Sequence, residues 1–435
     1  NLNWYQSWIL VPGIPKEYAT FVVIPTIVNS KEKVKELMRK LEVYYLANKS
    51  ENLYFTILGD CSQSAKEEEE FDTEIVQEGY IQIERLKMVF ELEQDYCPDY
   101  YILSGGVANT LANKSEAKAM YDYLELKKKI LGYDDMHMYD IYVDIIDEKP
   151  KEIKFEEGKK IIFEALKPLG KTYLDDLKKA FDERWIDIYP NRGKHSGADS
   201  WGSYGTYPYL LLNYNNTIDS VSTLIHELGH SMHSYYSDKN QSYVNHQYPI
   251  FLAEIASTTN EILLNDYLYK NATDKNEKIL YLTELLEKIR TTIYRQTMFA
   301  EFEYIAHDAA EKGMPLTKNW LNEQYLNLNK KYYGKDIISD DEIAYEWARI
   351  PHFYSSFYVY KYATGLSCAI KIATDIINEK ENALDNYLEF LSSGGSDYPL
   401  NILEKTGIDM TKPDTINDAL KIFKEKVEEL KKLTN

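Results

Sequence analysis

The stretch VSTLIHELGHSMHSYY sets His226, Glu227 and His230 close together. On an α-helix, residues four apart share a face, about 5–6 Å between Cβ atoms. Two imidazoles so placed can bind one Zn²⁺, at roughly 2.0–2.1 Å each. Glu227, next to His226, can lean over the metal and take a proton from water there. Val221, Leu224, Ile225 and Leu228 anchor the segment in a core, and Ser220 or Asp219 can cap its start. A catalytic zinc site needs a third protein ligand and a position left for water. IFLAEIASTTNEILL offers Glu254, 254 − 230 = 24 residues beyond His230 and set among Leu252, Ala253, Ile255 and Ala256. A carboxylate in so apolar a run needs a partner. The intervening SDKNQSYVNHQYP is long enough for a second helix to return. Glu261 shares the Glu254 face and is expected to hydrogen-bond a ligand histidine. His233 is read as a cleft residue, a satisfied helix histidine or a fourth ligand, and His246 as a loop residue. The competing reading is an ordinary helix with two histidines and a solvent-facing Glu254.

Attack of water on a peptide carbonyl builds an oxyanion, which a preorganised donor stabilises by about 3 kcal/mol. EWARIPHFYSSFYVYKYATG supplies His352, Tyr354, Tyr358, Tyr360 and Tyr362, with a helix expected to begin near Ser355. His352, Tyr358 and Tyr360 are the candidate donors. Tyr358 and Tyr362 share a helix face and Tyr360 does not, so these tyrosines cannot all face one cleft; the alternative is an aromatic helix packed in the core. Upstream, NRGKHSGADSWGSYGTYPYLLLNY is a Gly-rich loop entering a strand. An edge strand over 204–214 can pair with an extended peptide, against the plainer reading of a hairpin. Gly202, Tyr204, Gly205 and Tyr354 are the candidate substrate contacts.

These residues need elements to hold them. From Ser115 onward, amphipathic segments at 115–131, 155–182, 217–236, 251–270, 275–312, 317–331, 356–378, 382–392 and 415–432 read as helices. Segments 137–144 and 204–214 read as strands. The fold class is therefore mainly α with a small β-sheet. It is preceded by a short α/β segment: YATFVVIPTIV and ENLYFTILGD read as strands flanking a helix that Ser30 caps, with Val34, Leu37, Met38 and Leu41 on its apolar face. A charged break follows at 62–71, then a helix at 72–95. The division is 1–86, a junction at 87–116, and 117–435.

Composition narrows the partners. The 435 residues carry a net charge of −20, which disfavours nucleic acid and anionic membrane surfaces. No apolar run approaches the roughly 18 residues that span a bilayer. Cys61, Cys97 and Cys368 are isolated from one another, the pattern of reduced intracellular thiols; the expected location is cytoplasmic. Residue 1 is Asn rather than Met.

Taken together, HELGHSMHSYYS, YPIFLAEIASTTNEILL, WGSYGTYPYLLLNY and RIPHFYSSFYVYKYATG resemble oligoendopeptidase F, of the thimet oligopeptidase-like metallopeptidases, from about Ala117 to the C-terminus. The resemblance implies a zincin-type helical domain and a deep channel that admits short peptides. It implies one Zn²⁺ held by His226, His230 and Glu254, with Glu227 as general base and His352 and tyrosines of 354–362 supporting the transition state. The family's long helical N-terminal channel wall has no counterpart here. Residues 1–86 (IPKEYATFVVIPTIV, RKLEVYYLANKSENLYFTILGD) instead resemble a fragment of a cyclic β-1,2-glucan synthase, without the D-x-D that would hold a nucleotide sugar. Three readings follow: a zinc endopeptidase acting on oligopeptides, a metal-binding remnant without activity, and a glycosyltransferase fragment.

Overall fold

A computed structural model describes residues 20–28, 30, 33–35, 37–38, 53–61, 114–146, 151–355 and 357–434. The chain divides into two compact units, residues 1–99 and 100–435. The helix expected at 72–95 and most of the 87–116 junction lie outside the described residues.

In the first unit, β1 (Thr20–Val28) pairs in parallel with β2 (Leu53–Cys61), from Thr20 opposite Leu53 to Val28 opposite Cys61. Parallel neighbours require a crossover between them. The crossover contains helical residues at 33–35 and 37–38. Ser30 Oγ accepts the Lys33 N–H at 3.1 Å, the cap its position suggests, and Val34, Leu37 and Met38 are buried.

The second unit is mainly helical. Its helices are α1 (Lys114–Leu131), α2 (Phe155–Ala165), α3 (Gly170–Asp182), α4 (Ile218–Asn240), α5 (Ile250–Asn271), α6 (Lys275–Ile289), α7 (Arg295–Glu311), α8 (Lys318–Tyr333), α9 (Tyr360–Ile377), α10 (Ala383–Ser392), α11 (Pro399–Glu404) and α12 (Asp414–Thr434). α6 runs through a π turn, Arg290–Tyr294, directly into α7, so the segment at 275–312 forms one rod. The segment at 155–182 does not. Pro168 lacks a backbone donor and Gly170 takes φ +80°, a left-handed conformation that divides α2 from α3.

A small sheet stands beside α4. It contains β3 (Ile186–Asp187), β4 (Asp199–Trp201) and β5 (Tyr209–Leu211), in the order β3-β5-β4. β5 is parallel to β3 and antiparallel to β4. The strand expected at 204–214 therefore shrinks to β5 and lies in the centre of the sheet; β3 and β4 are its edges. The strand expected at 137–144 is instead an isolated bridge from His137 to Ile338 followed by a short 3₁₀ turn, Asp140–Tyr142. Leu224, Ile225, Leu228 and Met232 of α4 pack with Leu252, Ile255 and Leu263 of α5 and Leu366, Ile370 and Ala373 of α9 in one continuous core.

Candidate active site

Thr217 leaves helical geometry (φ −116°, ψ 164°) and its hydroxyl accepts the Ser220 N–H at 3.2 Å. Thr217, rather than Ser220 or Asp219, therefore caps α4. The turn of the helix then stacks His226 over His230, ring centroids 4.8 Å apart and Nε2 atoms 3.2 Å apart.

What brings Glu254 to this pair is the residue between them and the next turn. A Cβ on Gly229 would stand 2.5 Å from Ser257 Cα and 2.9 Å from the Ala256 carbonyl oxygen. Only glycine lets α4 and α5 touch there. Glu254 lies one turn before Ser257, and its Oε2 is 3.5 Å from both His226 Nε2 and His230 Nε2. Ser257 Oγ donates to the same oxygen at 3.2 Å. Gly365 of α9 faces Glu254 from another side.

His226, His230 and Glu254 form a three-residue group whose ligand atoms all lie within 4.8 Å of one another. The donor set fits a divalent ion such as zinc. Two nitrogens bound tetrahedrally at about 2.0–2.1 Å stand roughly 3.3 Å apart, close to the 3.2 Å between these imidazoles. On its other side, His226 Nδ1 meets Glu261 Oε1 at 2.5 Å, and Lys288 of α6 pairs with the second Glu261 oxygen. Glu261 thus holds the proton on Nδ1 and leaves the Nε2 lone pair toward the ligand group. Burial lowers His226; the charges of Glu254 and Glu227 oppose it. For Glu254 burial is the largest influence and would raise the carboxyl, but the hydrogen bond to His230 and the field of both histidines outweigh it, and it stays below the usual range.

Glu227 begins a second face of α4 that continues through Ser231 and Ser234. β4 lies along this face. Ser200 Oγ is 2.7 Å from Ser231 Oγ, and a Cβ on Gly202 would collide with Ser234. Glu227 lies in the field of both ligand histidines and of Asp199 in β4. Burial raises its carboxyl, and Asp199 and Glu254 add to the rise against the pull of His226 and His230. A base shifted toward neutrality is suited to exchanging protons.

The aromatic segment is rearranged relative to the sequence reading. Residues Pro351–Tyr354 form a 3₁₀ turn and α9 begins only at Tyr360. Tyr362 Oη meets His352 Nε2 at 3.2 Å, and Tyr358 lies against both, its ring centroid 5.6 Å from His352 and 5.7 Å from Tyr362. Burial, then Tyr358 and Glu254, raise the Tyr362 hydroxyl. Tyr360, expected as a donor, is 3% exposed and packs beside Phe251 in the core. Tyr354 is 88% exposed. The Tyr204 hydroxyl donates to the Gln241 carbonyl at 3.2 Å and its ring lies against His246. Gly205 takes φ +82° with open space around it. His233 is fully buried, stacked on Tyr248 at 3.6 Å, and outside the ligand group. His246 Nδ1 pairs with Asp238 at 2.7 Å.

The sequence profile of Peptidase family M3 matches residues 108–422. The chain belongs to peptidase family M3. Among family M3 relatives, oligopeptidase PepF of Bacillus subtilis (strain 168) is 46% identical over 314 residues, 72% of this chain and 47% of that protein. The oligoendopeptidase F homolog of Borreliella burgdorferi is 47% identical over 315 residues, 72% of this chain and 53% of that protein. The crystal structure of oligoendopeptidase-F from Enterococcus faecium superposes with a TM-score of 0.60 at 36% identity, covering 77% of this chain and 53% of that one. The chain thus spans about half the length of the curated M3 relatives it matches. No helix among the described residues is long and apolar enough to cross a membrane.

Proposed function

We propose that the chain is a zinc-dependent endopeptidase that hydrolyses peptide bonds in short oligopeptides. The observation that carries this reading is the convergence of His226, His230 and Glu254 on one point, with Glu227 in the electrostatic field of both histidines and of Asp199 in β4. His226, His230 and Glu254 would hold one Zn²⁺, which supplies Lewis acidity when bound. An extended peptide pairs with the outer edge of β4 and passes Glu227 as it does so. Glu227 accepts the proton of the attacking water and returns it to the departing amine. With His352 Nε2–H donating to Tyr362 Oη, the Tyr362 O–H is left to donate to the oxyanion, and Tyr358, against both rings, fixes their orientation. Relatives named oligopeptidase or oligoendopeptidase support the substrate class.

The test is hydrolysis of a short quenched fluorescent peptide, with zinc content measured on the same sample. Cleavage that stops with chelator and returns with zinc supports the reading. Stoichiometric zinc without cleavage overturns it and leaves a metal-binding protein.

A further inference from the structure

Glu303 lies on α7, 4% exposed, and takes no part in the ligand group or the β4 edge. Its Oε1 accepts the backbone N–H of Phe357 at 2.6 Å. Phe357 has φ +56°, in the left-handed region that a bulky side chain rarely enters. One turn further along the same face of α7, His307 meets the Phe357 ring, centroids 4.5 Å apart. α7 therefore holds this strained residue both by its backbone and by its ring.

The neighbours of Phe357 are the groups assigned to the transition state. Tyr358 follows it, and His352 and Tyr362 lie to either side in sequence. The segment between Pro351 and Tyr360 contains no glycine, so nothing in its own composition makes a left-handed residue cheap. Its other turns close on themselves: the Ser355 N–H bonds to His352 O, that of Tyr358 to Ser355 O and that of Tyr362 to Val359 O. The bond to Glu303, by contrast, comes from a different helix. Lys361 lies over the Tyr358 ring at 5.0 Å; burial raises the Glu303 carboxyl, against the Phe357 N–H and the charge of Lys361.

We propose that Glu303 is a positioning residue of the peptidase site, whose hydrogen bond to the Phe357 N–H holds the His352–Tyr358–Tyr362 cluster in its working arrangement. Strain of this kind persists only where the surroundings over-determine it, and Glu303 with His307 supplies that constraint. The kinetic arm of the test rests on the proposed peptidase activity; the exchange arm does not.

The experiment compares wild type, E303A and E303Q in the full chain. It measures amide hydrogen exchange across 350–358, zinc content, melting temperature, and kcat and KM on the quenched peptide. E303A is expected to raise exchange in this segment alone and to lower kcat at least roughly 10-fold with KM and zinc content unchanged. E303Q retains an acceptor oxygen and is expected to restore both protection and most of kcat. If E303A does not fold, E303D, with a shorter reach, makes the same comparison. Unchanged local exchange in E303A overturns the proposal, as does exchange raised across the whole unit or a loss of zinc. Should wild type fail to cleave peptides, the function reading falls, and local exchange in E303A still decides the role of Glu303.

Discussion

Gly229 of α4 lies against Ser257 of α5 so closely that a Cβ on it would stand 2.5 Å from the Ser257 Cα and 2.8 Å from its backbone nitrogen. Both obstacles are backbone, so no side chain can turn aside to make room. The two helices touch there because position 229 has no side chain, and the contact fixes where Glu254 stands relative to His226 and His230.

Gly229→Ala is therefore expected to force the helices apart. Overpacking of this kind costs about 1–3 kcal/mol, and Glu254 is carried away from the histidines. Chelator competition should show weakened metal binding alongside a lowered Tm. A variant with wild-type metal affinity would show that the contact does not position Glu254.

Glu227→Gln keeps the shape of the side chain and removes the base. Zinc content should stay at the wild-type level while kcat falls roughly 10²–10⁴-fold. Both are read from one preparation by metal analysis and peptide turnover. Full activity in this variant removes Glu227 from the mechanism.

Glu261→Leu deletes the acceptor that holds the His226 Nδ1 proton and leaves Lys288 without its carboxylate partner. Loss of such a support is expected to weaken metal affinity about 10–100-fold. Titration against a chromogenic chelator measures it, with circular dichroism confirming an unchanged helix content. Affinity within twofold of wild type, on the order of experimental error, rules the support out.

Glu303 gives a pH dependence. Burial raises its carboxyl to about 7, against the Phe357 N–H and Lys361, from an ordinary value of 4.5. The folded protein thus holds a proton that the unfolded chain releases earlier. This contribution to stability is complete below the unfolded value and is lost as pH rises through about 7. Glu303→Gln has no proton to lose. Its stability relative to wild type should rise by roughly 3 kcal/mol between about pH 4 and about pH 8.5. Urea unfolding at both values checks this, and a pH-independent difference refutes it.

The ligand group was legible because its logic is local. Helical periodicity alone stacks His226 on His230, and Glu254 announces itself as a lone carboxylate in an apolar run. Glu261 was legible for the same reason, being two turns from Glu254 on one face. The aromatic segment was not, because its register depends on a contact from another helix. With Phe357 left-handed and bound to Glu303, α9 begins at Tyr360 rather than near Ser355. That later start sends Tyr360 into the core and Tyr362 to His352. Likewise, the run 204–214 showed strand character but not its neighbours, and pairing placed it between β3 and β4. Gly229 stood in plain view within HELGH; its meaning required knowing which helix would lie across it.

The outer edge of β4 has one further consequence. A strand edge with no partner among the described residues invites other chains, and here it carries Trp201, 75% exposed, opposite a half-exposed Tyr209. The peptide capture proposed for this edge and self-association would compete for one row of backbone groups. The strand is three residues long, which limits how many bonds a second copy can make. The net charge of −20 keeps copies apart at neutral pH. Colloidal stability is then borrowed from surface charge, and it fades as acidification brings the chain toward its isoelectric point.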